Sequence, residues 1–108
     1  MKRSAIRKIS DKRGRQLAEY RPLIEKLRTL CDNRSELSGD KPDWTSNFQV
    51  EAHHLDGREN ERLLNVWAII MLTDEEHRVE QQHLPGCHTK EYLLALVKSI
   101  RERQGWHE

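Results

Sequence analysis

The segment Phe48-Gln49-Val50-Glu51-Ala52-His53 alternates apolar and polar residues, as a half-buried strand does, and it delivers two adjacent histidines, His53 and His54. Neighbouring side chains on a strand point to opposite faces of the sheet, so this pair cannot belong to one packed surface. One imidazole is then able to hold a metal ion while the other meets water or substrate from a different angle. Imidazole is the commonest protein metal ligand, and its ordinary pKa suits a general base near neutral pH. The chain answers the pair further on. A charged loop, Leu55 to Arg62, leads to Val66-Trp67-Ala68-Ile69-Ile70-Met71-Leu72, a brief apolar run rich in β-branched residues that reads as a buried strand. Thr73 followed by Glu76 three residues later has the form of a capping box. It opens a polar helix from Asp74 to about Gln82, with His77 in the first turn. The central order is strand, loop, strand, helix.

Helical stripes flank this centre. Leu17, Tyr20, Ile24, Leu27 and Cys31 recur at helical spacing, widened by Leu23 and Leu30, and Ser10 is placed to cap them. Pro22 interrupts that pattern, which predicts a kink or two helices meeting near Tyr20 to Pro22. Residues 34–46 have loop composition, and Pro85-Gly86 ends the helix that carries His77. Thr89 caps a last helix with Leu93, Leu96, Val97 and Ile100 as its stripe, closed by Gly105. The expected class is α+β, a mainly helical chain around two short antiparallel strands and a helix. At 108 residues the chain fits one domain, and with 35% hydrophobic against 34% charged residues its core is thin.

The net charge of +1 conceals an uneven distribution. Lys2, Arg3, Arg7, Lys8, Lys12, Arg13 and Arg15 face only Asp11 near the N-terminus. Residues 1–9 lack a sustained apolar period and read as a basic flexible arm, leaving 10–108 as a single domain with its core at about 48–83. No window approaches the roughly 20 apolar residues of a membrane span, and no apolar stretch follows the basic start as in a secretory signal. A cytoplasmic protein without membrane contact is expected. Cys31 and Cys87 are too few for a disulfide framework and read as reduced thiols. His83, His88 and His107 read as surface or structural histidines, and Trp67 as core. Trp44 and Trp106 remain candidates for stacking on bases.

Residues 48–83 resemble the HNH endonuclease family, the His-Me finger or ββα-metal nucleases, and most nearly its small phage-type members. The string that carries the resemblance is His53-His54, Gly57-Arg58, Leu63-Leu64, and Met71-Leu72 ahead of the helix histidine His77. The resemblance implies a ββα-metal finger in which His53 and His77 hold one divalent ion and His54 activates water to hydrolyse DNA. Imidazole suits zinc and nickel, whereas a phosphate favours magnesium or manganese. Arg58 is expected to clamp a phosphate through its planar fork. Arg62 and Arg78, with Lys2, Arg3, Arg7 and Lys8 of the arm, are expected to contact nucleic acid. If the chain is phage-encoded, it would act in the host cytoplasm, with a phage or host protein as a further partner.

The resemblance departs from the family pattern in two places. Zinc-containing relatives frame the motif with two C-x-x-C pairs, where this chain has Cys31-Asp32-Asn33-Arg34 and Thr73-Asp74-Glu75-Glu76. No structural zinc is therefore expected, and an ion pair between Arg34 and Glu76 is expected to replace the metal bonds. The asparagine that braces the loop of the base in the family corresponds to Ala68, so Asn65, or else Asn60, is the candidate for that task. The alternative function is a nucleic-acid-binding module that keeps the fold with weak or absent catalysis. A third reading is an interaction protein whose helical stripes bind a partner.

Overall fold

β1 (Glu51–His54) and β2 (Ile69–Leu72) pair antiparallel, with Glu51 opposite Leu72, Ala52 opposite Met71, His53 opposite Ile70 and His54 opposite Ile69. Because facing residues share a side of the sheet, this register sorts the chain into two packed layers. Ala52, Ile69 and Met71 join Val50 and Val66 against Ile24 and Leu27 of α1 (Arg3–Leu30). Ile70 and Leu72 pack on the other side against Leu93 and Val97 of α3 (Lys90–Arg103). α2 (Asp74–Gln81) contacts both strands, while α3 packs directly on β2. The computed structural model describes residues 3–58 and 60–107, with side chains from residue 14 onward except those of 59–61. Among these residues, three helices and one two-stranded sheet make an α+β domain, with short 3-10 turns at Trp44–Ser46, Asn60–Leu64 and Val66–Ala68.

Local chemistry accounts for the helix ends. The Thr73 hydroxyl accepts from the Glu76 N–H while the Glu76 carboxylate accepts from the Thr73 N–H, so the capping box is present in full and α2 begins where expected. Thr89 caps α3 through the Tyr92 N–H at 3.1 Å. The N-terminal expectation needs correction. α1 starts at Arg3, so residues 3–9 are its first turns rather than a flexible arm, and Ser10 lies inside the helix rather than at its cap. Lysine, arginine and alanine are good helix formers, and nothing from Arg3 to Ser10 breaks a helix. Met1 and Lys2 lie outside the described residues. Pro22 falls within the same continuous helix, on its exposed side, where the carbonyl left without a donor can meet water.

The strands are shorter than the apolar patterns suggested. Phe48 takes a left-handed φ of 58° and is 64% exposed. Its backbone groups are spent elsewhere: its N–H donates to the Asp43 carbonyl at 2.9 Å and its carbonyl accepts from the Asn33 side chain at 2.8 Å. The Asn33 amide oxygen also accepts from the Val50 N–H at 3.1 Å, so pairing begins only at Glu51. Residues 66–68, expected as strand, instead form a 3-10 turn because the Asn65 side chain accepts from the Trp67 N–H at 3.1 Å.

Arg34 and Glu76 do not form the expected pair. Arg34 reaches the Gly39 carbonyl and Asp32, while Glu76 is used by the α2 cap and by the Ser38 hydroxyl. The connection from the α1–β1 loop to the sheet runs through Glu36 and Arg101 instead. The Arg101 guanidinium forks onto both Glu36 oxygens at 2.6 and 2.9 Å, and donates to the Val66 and Ile69 carbonyls at 2.9 and 2.7 Å. Glu36 in turn pairs with Met71, donating its N–H to the Met71 carbonyl at 2.8 Å and accepting from the Met71 N–H at 2.9 Å. One buried acid thereby closes the outer edge of β2 and neutralises a fully buried cation.

Candidate functional site

The sheet register carries His53 to the α2 face and His54 to the α1 face. On the α2 face, His77 stands in the first half of the helix and its Nδ1 bonds Glu51 Oε1 at 2.8 Å. Glu51 is two residues before His53, so both project from the same side of β1. A carboxylate on Nδ1 leaves Nε2 as the ring atom available to a ligand, the arrangement that orients metal-binding histidines. The His53 and His77 ring centroids are 5.1 Å apart and the rings meet edge to face at 61°.

On the α1 face, His54 lies against Tyr20, ring centroids 5.6 Å apart. The Arg58 guanidinium lies over the Tyr20 ring at 5.3 Å from its centroid. Gly57 makes this return feasible, since its φ of 86° is a conformation that side chains disfavour. Two contacts hold the loop that follows His54. The Leu55 N–H donates to the Ala68 carbonyl at 2.8 Å, and Asp56 pairs with Lys90 of α3 at 2.6 Å. His53, His54, His77, Tyr20, Gly57 and Arg58 line one cavity of about 280 Å³. A second cavity of about 230 Å³ shares His53, His54 and Gln81 and extends toward Glu80, His83 and His88.

Burial disfavours the charged imidazole, and so do neighbouring cations. For His54, burial first, then Arg58 and the other two imidazoles, bring the pKa from 6.5 to about 4. His53 is also lowered, by burial first and then by His77. Both rings are neutral at pH 7 and able to accept a proton or a metal. The His54 Nε2 atom is buried and, among the described residues, has no hydrogen-bond partner.

The donors suit a single ion held by two imidazoles. Nitrogens about 2.1 Å from a shared ion place their ring centroids roughly 5 Å apart, close to what His53 and His77 display. Among the described residues, no group of three or more His, Cys, Asp or Glu side chains is disposed to hold a metal ion. Such a site leaves its other positions to water and substrate oxygens.

Of the residues singled out from the sequence, His53, His54, His77 and Arg58 come together around the cavity. Asn65 does not line it, because its side chain is committed to the turn at Val66–Ala68. Arg62 is exposed on the Asn60–Leu64 turn. Arg78 faces another pocket, with Asp40, Asp43, Asp74 and Glu75, whose charge repels phosphate. Arg3, Arg7 and Lys8 lie on the first turns of α1, their side chains outside the described residues, as is Lys2 altogether. His88 has a structural partner in the buried Glu80, with Nδ1 2.7 Å from Oε2, and it stacks on Tyr92. Trp67 packs against the α1-side core. Sequence reasoning assigned no role to Glu51 and read Tyr20 only as part of a core stripe. The signal for Glu51 was its two-residue offset from His53, whereas local spacing held none for the cavity role of Tyr20. No family model matches the chain, and no curated protein and no solved structure is significantly similar to it.

Proposed function

We propose that this chain is a metal-dependent DNA endonuclease of HNH type, with β1, β2 and α2 as a ββα-metal finger. His53 and His77 would hold one divalent ion, and His54 would serve as general base for hydrolysis of a phosphodiester bond. The observation that carries this reading is that His54 shares one cavity with the His53–His77 pair, its Nε2 buried and, among the described residues, without a hydrogen-bond partner. A buried polar atom without a partner costs about 1–3 kcal/mol. A proton donor that reaches this nitrogen when the ring turns toward the cavity, such as the attacking water, repays that cost.

Each side chain then has a task. His54 removes the proton of the attacking water, a contribution typically of about 10²–10⁴-fold. Arg58 presents its planar fork to a phosphate oxygen beside His54, with the Tyr20 ring beneath it. Glu51 fixes the orientation and tautomer of His77 so that Nε2 is its free atom. A bound magnesium, manganese, zinc or nickel ion supplies charge stabilisation at the phosphate oxygens.

Incubation with supercoiled plasmid and magnesium or manganese is expected to yield nicked circles. His54→Ala is expected to abolish nicking while leaving ion binding intact, and His53→Ala or His77→Ala to weaken ion binding itself. Nicking by His54→Ala at the wild-type rate removes the assignment of the base. A second reading rests on Ala68, which stands where the resembled family carries asparagine. It is a binding module that holds DNA in a salt-sensitive way and cuts under no divalent ion.

A further inference from the structure

Charge in this molecule is divided by position. Seven of the 19 lysines and arginines, but one of the 18 acidic residues, fall within residues 1–15, so that stretch carries +6 and the remaining 93 residues carry −5. A body of that sign repels a polyanion, and one of its pockets gathers Asp40, Asp43, Asp74 and Glu75. The positive stretch is not a separate tail. From Arg3 onward it belongs to α1, the same unbroken helix that brings Tyr20 to the wall of the His54 cavity. At 1.5 Å per residue, Arg15 stands about 8 Å along the axis from Tyr20 and Arg3 about 25 Å. The helix accounts for most of the molecule's longest extent of 49 Å, against 32 and 24 Å in the other directions.

We propose that the N-terminal half of α1 is a rail that holds a DNA duplex at its phosphates, and that it supplies most of the protein's affinity for DNA. The proposal rests on the nuclease reading for the choice of partner and adds the footprint. At 3.4 Å per base pair, the rail reaches about seven base pairs from the cleft. The lysines and arginines of this half-helix that face the duplex neutralise its phosphates and read no sequence.

The test is duplex binding followed by fluorescence anisotropy without any divalent ion, between 50 and 200 mM salt. Two double variants remove the same charge: R3Q/R7Q on the rail and K98Q/R103Q on the exposed side of α3. Glutamine is about as good a helix former as arginine, and circular dichroism checks that helicity is kept. R3Q/R7Q is expected to weaken binding of a 20-base-pair duplex at least tenfold and to reduce the salt slope by about two, because two phosphates are no longer neutralised. K98Q/R103Q is expected to change binding by less than twofold.

Equal losses in both variants make the effect one of net charge and overturn the rail. No loss in R3Q/R7Q, or tighter binding to anionic-lipid vesicles than to duplex, overturns it as well. Because binding is read without an ion, the two readings fail separately. A chain that binds in the expected pattern and never cuts removes the nuclease and keeps the rail. One that cuts plasmid equally well with R3Q/R7Q removes the rail and keeps the nuclease.

Discussion

Two carboxylate contacts hold the small sheet, one at each strand, and they differ in what surrounds them. Glu36 and Arg101 grip β2 from side chains that are 2% and 0% exposed. Glu51 and His77 link β1 to α2 with side chains 36% and 23% exposed, at the mouth of a cavity. In the first pair every strong donor of the guanidinium faces an oxygen of the protein, so the contact is complete in itself. In the second the carboxylate bonds one nitrogen of a ring whose other nitrogen, among the described residues, has no hydrogen bond, as the proposed ion site requires. Burial and completeness mark a structural clamp, whereas an oriented but unfinished ligand marks a site.

The sharpest way to break this comparison is Arg101→Met. It strands the Glu36 carboxylate in the core and is expected to lower the unfolding free energy by about 3–5 kcal/mol, read by denaturant titration. Glu36→Leu added to it is expected to recover only part of that loss, because the stranded charge is gone but the Met71 N–H and the Val66 and Ile69 carbonyls have lost their side-chain partners. Glu51→Gln is the matching change at the other strand. It is expected to weaken divalent-ion binding about 10–100-fold, measured by calorimetry, while thermal stability stays near wild type. A large loss of stability in Glu51→Gln would erase the distinction between clamp and site.

Acid separates the regions more gently. The folded pKa of His54 is about 4 against an ordinary 6.5, so between these values the unfolded chain binds a proton that the folded chain refuses. The sign follows: the contribution of His54 to stability is complete above pH 6.5 and is lost as pH falls toward 4. Thermal unfolding of the ion-free protein is expected to show this decline, with His54→Gln flattening it. The smallest effect is expected from Glu80→Gln. Glu80 and His88 repeat the carboxylate–imidazole contact, but His88 stacks on Tyr92 at 5.0 Å and, among the described residues, no second imidazole meets its ring as His53 meets His77. Unchanged ion affinity in this variant would show that the contact alone does not make a site.

The parts of the fold written in neighbouring residues were legible. Thr73 and Glu76 announced the start of α2, and the alternation ending at His53 placed the two imidazoles on opposite faces. What depended on distant partners was hidden. Nothing near Glu36 announces Arg101, and nothing near Phe48 announces that Asn33 will take the backbone groups a longer strand would have used. Asn65 was read by its chemistry as a brace for the loop of the base, yet the nearest bond available to its side chain was the Trp67 N–H two residues on. Basic composition suggested an arm at residues 3–9, while good helix formers without a breaker continued α1 through it.

The hydrogen bond from Leu55 to Ala68 joins two main chains, one residue past His54 and one residue before β2. Its acceptor is a carbonyl that every amino acid possesses, so the identity of the side chain at position 68 is not written into it. A tether of this kind is insensitive to drift in the sequence. The loop that follows His54 is secured there by the path of the backbone, whichever side chain stands at position 68.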